Sequence, residues 1–169
     1  AIAVFSQTAE EIVAKHLAAM GGNALSNLKT MQMETKLTVQ QAPGMEIPMT
    51  MTVVNQKAAL IKVSVMGMTQ VSCVNGDKGW ATNPFAGKMD PEPMTADQVA
   101  FMKDMTDIAG SLHNYKEKGY SVEYVGKEDF EGTEVHKLKV VKTPTKTEYI
   151  LIDPETWYNV KNITVATVD

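Results

Sequence analysis

The sequence predicts a mainly β protein with helices (α+β), built as an open, strongly curved antiparallel half-barrel with its helices packed on the concave side. Three observations predict this fold class. Two stretches repeat apolar residues at helical spacing, the rest of the chain alternates apolar and polar residues with a period of two, and the connections are short. Short connections favour antiparallel neighbours. A long sheet curls rather than staying flat, and each helix must bury its apolar stripe against it.

Composition is that of one globular domain. The chain has 169 residues, 44% of them hydrophobic, and no apolar run reaches the ~20 residues of a membrane span. Its net charge is −4, and all 16 basic residues are lysines. Without arginine, bidentate guanidinium contacts to bases or phosphates cannot form. We therefore expect no nucleic-acid partner and no segment that crosses a membrane.

The N-terminus has the character of an export signal. Residues 1–7 join a short apolar stretch to small residues, as at the end of a secretory signal, so we interpret them as a signal-peptide remnant. A frayed N-terminal arm is the alternative interpretation. Residues 8–169 are predicted to form a single domain, because they contain no internal repeat, low-complexity stretch or linker.

The first helix is predicted over Thr8–Met20. Thr8 and Glu11 have the spacing of a capping box, and an apolar stripe follows at helical spacing. Gly21 and Gly22 suit the left-handed conformation that ends a helix. Residues 23–28 are expected to add one short turn.

Alternation then predicts five strands, and after a second helix it predicts four more. The first four strands cover residues 31–40, 46–53, 59–65 and 68–74, and a short fifth begins at Trp80. Residues 84–93 are interpreted as a loop. Thr95 caps the second helix, predicted over Thr95–Leu112. The last four strands are predicted at residues 120–127, 133–142, 147–153 and 157–165. We expect one antiparallel sheet of eight or nine strands.

Methionine supplies the candidate binding site. The chain has 12 methionines, and flexible, polarizable Met side chains adapt to varied apolar ligands. Residues two apart on a strand share a face, and paired strands place those faces side by side. The residues predicted to line one apolar space are Met31, Met33, Met49, Met51, Val63, Met102 and Met105. A solid, Met-rich core is the alternative.

No catalytic or metal-binding constellation is recognisable. His16, His113 and His136 are far apart in sequence, and Cys73 is the only cysteine. His136 is expected to be a satisfied structural residue, His16 to flank the first helix's stripe, and His113 to lie at a helix end. Asp104 with Asp107, and the carboxylates of residues 128–131, are interpreted as solvated surface. We expect no catalytic residues, no metal and no cofactor.

Several short sequence segments resemble those of the bacterial outer-membrane lipoprotein-sorting (LolA/LolB-like) superfamily of periplasmic carriers. They are Met20-Gly21-Gly22, the run Leu28–Met33, Asn75–Trp80, Phe130–Glu134 and Ile152–Trp157. The resemblance covers nearly the whole chain after Gln7. Similar domains are also found fused behind insulinase-type zinc peptidases. This chain lacks the zinc motif of those enzymes. The carriers have a functional arginine in the barrel, and this chain has none to match it.

The resemblance implies an unclosed β-barrel whose cavity takes lipid, the acyl chains of lipoproteins or another hydrophobic ligand. It also implies a periplasmic, non-enzymatic binding protein with a part in outer-membrane biogenesis. The alternative is an interaction or accessory module that serves a cell-envelope protein and has no small-molecule ligand.

Overall fold

The computed structural model describes residues 7–38 and 44–166, and these form two compact units. The first unit consists of residues 7–26 and 109–166, and the second of residues 27–38 and 44–108. Residues 1–6 of the signal remnant predicted over residues 1–7, and the end of the first predicted strand from Val39, lie outside the described residues. That residues 8–169 act as one domain stays a prediction.

The first unit combines helices with a four-stranded antiparallel sheet. Its helices are α1 (Ala9–Ala19) and the one-turn α2 (Asn23–Ser26). The predicted capping box is present, because Glu11 N donates to Thr8 Oγ1 (3.2 Å) and Thr8 N donates to the Glu11 carboxylate (2.9 Å). The later strands order as β10-β9-β8-β7. Their bounds are β7 (Ser121–Phe130), β8 (Thr133–Thr143), β9 (Lys146–Ile152) and β10 (Asn159–Ala166).

The core of the first unit lies between α1 and this sheet. Ile12 and Val13 on α1 are buried against Leu138, Val140 and the inward residues of β9. The apolar stripe of α1 therefore packs on the apolar face of the sheet, as the helical period of 3.6 and the strand period of 2 predict.

The second unit contains a six-stranded antiparallel sheet in chain order and one helix. The strands are β1 (Thr30–Thr38), β2 (Glu46–Val54), β3 (Ala58–Val65), β4 (Met68–Asn75), β5 (Lys78–Asn83) and β6 (Lys88–Pro93). A short 3-10 turn (Pro84–Ala86) joins β5 to β6, and helix α3 (Ala96–Asp104) follows. Hydrogen bonding thus runs through consecutive hairpins, as the short turns predict.

Antiparallel sheets in a mainly β chain are confirmed, whereas the single sheet of eight or nine strands is wrong for the described residues. They contain ten strands in two hydrogen-bonded sheets. Helix α3 and a strand-free segment up to Tyr120 separate β6 from β7 in the chain. Strong curvature and the packing of helices on a concave side stay predictions.

Two element predictions need correction. The second helix ends at Asp104 rather than Leu112, so His113 is not at a helix end. The residues that follow the helix bond instead to the β2–β3 turn. Gln56 N donates to Thr106 O (2.9 Å), and Ile108 N donates to Asn55 Oδ1 (3.3 Å). The predicted loop over residues 84–93 contains β6, whose prolines are tolerated because β6 lies at the sheet edge.

Candidate functional site

One face of the second unit's sheet carries no charge along five strands. Directly paired residues share a face, and the register aligns Met33, Met51, Ile61, Ser72 and Ala81 in one row across β1 to β5. We call the face that contains this row the uncharged face. Its described positions on β1 to β5 are Met, Thr, Leu, Ile, Val, Ala, Gln, Ser, Gly or Asn.

Helix α3 covers part of the uncharged face. It contacts β3, β4 and β5 and buries Val99 and Met102. Close contact with β5 depends on Gly79, because a Cβ there would lie 2.8 Å from Met94 Sδ and 3.1 Å from Val99 Cγ2. Glycine at this position lets the start of the helix approach the sheet backbone.

Both ends of α3 contact the β4–β5 hairpin. Before the helix, Met94 N donates to Gly79 O (2.9 Å). Near its end, Lys103 Nζ contacts Asp77 Oδ1 in the β4–β5 turn at 2.6 Å. Both contacts fall on Asp77 and Gly79 of the β4–β5 hairpin, so each end of α3 is anchored to this hairpin.

A groove of about 420 Å³ lies between α3 and the uncharged face. This volume falls within the ~300–1,000 Å³ typical of small-molecule sites. Ile61, Gln70, Ser72 and Ala81 form its sheet wall. The other described lining residues, from α3 and the segment before it, are Met94, Asp97, Gln98, Phe101 and Met102. We call this space the α3 groove.

The predicted binding residues are only partly gathered at this groove. Met102 lines it and is buried, whereas the strand members lie on the uncharged face beyond the described lining residues. Met33 pairs with Met51, and Met49 pairs with Val63; Met31 is two residues from Met33 on the same face. Met105 caps α3 and is half-buried. One apolar space shared by all seven stays a prediction.

Burial along the uncharged face is uneven. Met51 is buried, while Met33 directly opposite is 39% exposed. Leu37 and Met68, nearer the hairpin tips, are also exposed. The face therefore offers half-open apolar surface on the same sheet as the α3 groove.

Sequence reasoning missed the polar part of the lining. Gln70 and Ser72 are polar members of the uncharged face, and their position on it follows from the β3–β4 register. A polar residue at an inward position of a strand was the available signal. Asp97 and Gln98 lie in the first turn of α3, and their position over the sheet depends on long-range packing.

A second, wider groove of about 730 Å³ lies beside β5 and β6. Its lining includes Trp80, Pro91 and Pro93, together with Asp77 and Lys78. Asp77 is already engaged by Lys103, and this contact lowers the pKa of the Asp77 carboxyl. Asp77 and Lys78 give this groove two ionisable lining residues, whereas the described lining of the α3 groove contains one, Asp97.

The two buried histidines of the first unit are structural. His16 Nδ1 lies 2.8 Å from the carbonyl oxygen of Trp157, and since a carbonyl only accepts, His16 donates. His136 shares a 3.1 Å hydrogen bond with Tyr124 Oη and stacks on the Trp157 ring. Burial, with the positive charges of Lys127 and Lys15, lowers the pKa of His136. The interpretation of His136 as a satisfied histidine agrees with these contacts.

Within residues 7–38 and 44–166, no group of three or more His, Cys, Asp or Glu side chains is arranged to hold a metal. Burial raises the pKa of the Cys73 thiol, which disfavours the nucleophilic thiolate. No helix in the described part of the chain has the length and hydropathy needed to cross a bilayer.

Three solved structures are similar to this chain. A DUF1329 family protein from Desulfovibrio piger matches with a TM-score of 0.53 and 9% identity, over 96% of this chain and 75% of that one. A LolA superfamily protein from Nitrosomonas europaea matches with a TM-score of 0.48 and 10% identity, over 96% and 73%. A domain described as an outer membrane lipoprotein-sorting protein from Vibrio parahaemolyticus gives 0.49 and 12%, over 94% and 73%.

No protein-family model and no curated protein matches the sequence. Because the sequence identity is 9%, the similarity to the DUF1329 family structure shows a similar fold and nothing more.

Proposed function

We propose that this protein is a non-enzymatic carrier or binding protein for a hydrophobic ligand, a lipid or a lipoprotein acyl chain, exported to the periplasm. The observation that carries the proposal is the uncharged face, which α3 covers only in part. An acyl chain needs a surface free of charges, because an unpaired charge facing hydrocarbon is costly. The sheet wall of the α3 groove belongs to this face and contains no ionisable residue among its described members, so we assign the ligand to this groove.

Native mass spectrometry of protein from a periplasmic extract tests the proposal. A mass excess that corresponds to lipid is the expected result. In parallel, an uncharged dye such as N-phenylnaphthylamine should bind the purified protein and gain fluorescence.

The variant Ser72→Phe fills the sheet wall of the groove and should abolish dye binding while the β circular dichroism spectrum is retained. Ala81→Leu is a smaller filling change at a neighbouring position of the same row. Thr52→Phe is the matched control, because Thr52 is exposed on the opposite face of β2 and should leave binding intact. Undiminished binding by a folded Ser72→Phe protein would assign the dye to another place.

A second candidate function, an accessory module for a cell-envelope protein, is favoured by the β3–β4 hairpin. Its tip presents Met66, which is 85% exposed. Met68 of the same hairpin is also exposed, and neighbouring exposed apolar side chains, rather than single ones, are typical of contact surfaces. Copurification of a stoichiometric protein with no lipid, together with absent dye binding, would favour this function.

A further inference from the structure

We propose that four methionines on β1 and β2 form a site for a soft monovalent metal ion, Cu(I), held through their thioether sulfurs. Met33 on β1 pairs directly with Met51 on β2. Met31 and Met49 lie two residues away on the same strands and on the same face. We call these four residues the methionine cluster. The inference goes beyond the proposed function, because the cluster lies outside the described lining of the α3 groove.

Strand pairing places the four side chains within reach of one another. Side chains directly opposite on antiparallel strands have Cβ atoms about 4.5–5.5 Å apart, and diagonal neighbours are about 7–8 Å apart. Met31 is the diagonal neighbour of Met51, and Met49 is the diagonal neighbour of Met33. A methionine side chain has three rotatable bonds, so its sulfur can move across such gaps. The directly opposed sulfurs can therefore share one ion, and the diagonal residues can supply further sulfurs.

The sequence contains the pattern Met-x-Met three times, and the pairing distinguishes two of these segments from the third. Residues 31–33 and residues 49–51 lie on the hydrogen-bonded strands β1 and β2. Residues 66–68 instead span the β3–β4 turn, and Met68 is opposite Val65. Four sulfurs are thus concentrated on one strand pair, whereas Met68 faces a valine.

The available donors select a soft ion. Neutral thioethers suit Cu(I), whereas Zn²⁺ and Ca²⁺ are bound by thiolate, imidazole or oxygen ligands. The described positions of the uncharged face on β1 to β5 include no histidine, cysteine or carboxylate. The expectation that the chain binds no metal rested on histidine and cysteine spacing, which does not detect a thioether site.

The methionine cluster is open to solvent on one side. Met33 is 39% exposed and Met51 is buried, while the other two members are half-buried. An ion can therefore enter from the Met33 side and keep contact with water there. This contact reduces the cost of placing a charge on an apolar face, and that cost is smaller for a monovalent ion than for a divalent one.

Titration with silver nitrate in chloride-free buffer tests the inference, because Ag(I) has the soft character of Cu(I) without its redox chemistry. The protein is labelled with ¹³C at the methionine methyl groups, so that NMR reports each thioether separately. One equivalent of Ag(I) should shift the signals of the methionine cluster and leave the Met68 signal in place. Zn²⁺ at the same concentration should shift none of the four signals.

Cys73 is removed for these measurements, because a thiol binds Ag(I) more tightly than a thioether does. Cys73 alternates with Ser72 on β4 and so lies on the face opposite the methionine cluster. A Cys73→Ser protein therefore serves as the starting point for every titration and every further variant.

Met33→Leu and Met68→Leu form a matched pair. Both methionines lie on the uncharged face, and they are 39% and 41% exposed. Leucine conserves the side-chain volume, so both variants should fold. Loss of a residue that merely supports a metal ligand weakens metal binding by about 10- to 100-fold, so loss of a ligand should cost at least that much. Met33→Leu should therefore raise the Ag(I) dissociation constant by about tenfold or more, whereas Met68→Leu should leave it unchanged.

The outcomes separate this inference from the proposed function. Equal Ag(I) affinity of the two folded variants would overturn the site, and so would cluster signals that shift no more than the Met68 signal. An equal response to Zn²⁺ would overturn the selectivity for a soft ion. These titrations use the metal alone, so absent dye binding together with intact Ag(I) binding would overturn only the proposed function.

Discussion

At the scale of single residues, Met66 adopts a backbone conformation that its side chain does not favour. It is the first central residue of the β3–β4 turn, with φ 51°, and Gly67 follows with φ 80°. Two positive φ values define a type I′ hairpin turn, which favours Asn-Gly. Met in this conformation costs roughly 1–2 kcal/mol. Its exposed side chain does not recover that cost by burial.

Met66→Asn should therefore raise the free energy of unfolding, by about 0.5–1 kcal/mol. Urea unfolding monitored by circular dichroism measures the change. Met68→Asn makes the same chemical change two residues later, in β4, and should give no such gain. A Met66→Asn protein no more stable than the Met68→Asn protein would contradict the strain at this turn.

His136 makes stability depend on pH in a defined direction. Burial lowers the pKa of His136 in the folded state, whereas a histidine in an unfolded chain has a pKa of about 6.5. Below that pH the unfolded chain binds a proton that the folded protein resists, so stability falls as the pH decreases. Above it, both states are neutral and this contribution is fully present.

His136→Phe should flatten the pH dependence of the unfolding temperature between about pH 5 and pH 7. Phenylalanine keeps a ring against Trp157 but cannot take up a proton. The comparison is one of slopes, so a general loss of stability from the lost Tyr124 hydrogen bond does not obscure it. An unchanged slope would show that His136 is not the titrating group.

At the scale of elements, the two capping boxes offer a matched pair. Thr8 begins α1 in the first unit, and Thr95 begins α3 over the groove of the second. Thr8→Ala and Thr95→Ala should each lower stability by about 1 kcal/mol, because each leaves helix-end donors unsatisfied. Only Thr95→Ala should also weaken dye binding.

Thermal unfolding and dye titration of both variants measure this contrast. Equal loss of dye affinity in the two proteins would indicate that binding follows general stability rather than the position of α3.

Local chemistry predicted some elements and not others. The start of α1 and the hairpin turn at Asn75–Lys78 follow from residues close together in sequence, and both are present. The end of α3 does not, because Thr106 and Ile108 bond to Gln56 and Asn55 about fifty residues earlier. Strand β6 was missed because two prolines oppose a strand unless it lies at an edge, and edge position is a property of the sheet.

At the scale of the molecule, the chain path predicts cooperative unfolding. The second unit, residues 27–108, is inserted between the two segments that form the first. If it unfolded alone, the first unit would have to close a flexible loop of roughly 80 residues, at an entropic cost of about 4 kcal/mol. We therefore expect one transition for both units.

Two variants test this expectation, Leu138→Ala in the first unit and Gly79→Ala in the second. Leu138 is fully buried in the first unit, and its truncation should cost about 2–5 kcal/mol. A Cβ at Gly79 would meet Met94 Sδ at 2.8 Å and the Cys73 carbonyl oxygen at 3.2 Å, at a cost of about 1–3 kcal/mol. Each change should shift the whole calorimetric transition. Two separate transitions, with only one moved by each variant, would contradict one cooperative domain.

By itself, the sequence determined the mainly antiparallel β class, most strand positions, both helix starts and the pairing of methionine-bearing strands on one face. These follow from side-chain period and turn chemistry, which act over a few residues. Tertiary structure alone decided where α3 ends, which part of the uncharged face it covers, and that Asp97, Phe101, Gln70 and Ser72 meet at one groove. The same packing buries Met51 and exposes Met33, although the two are paired. Such differences depend on contacts between residues far apart in the chain, and local pattern carries no information about those contacts.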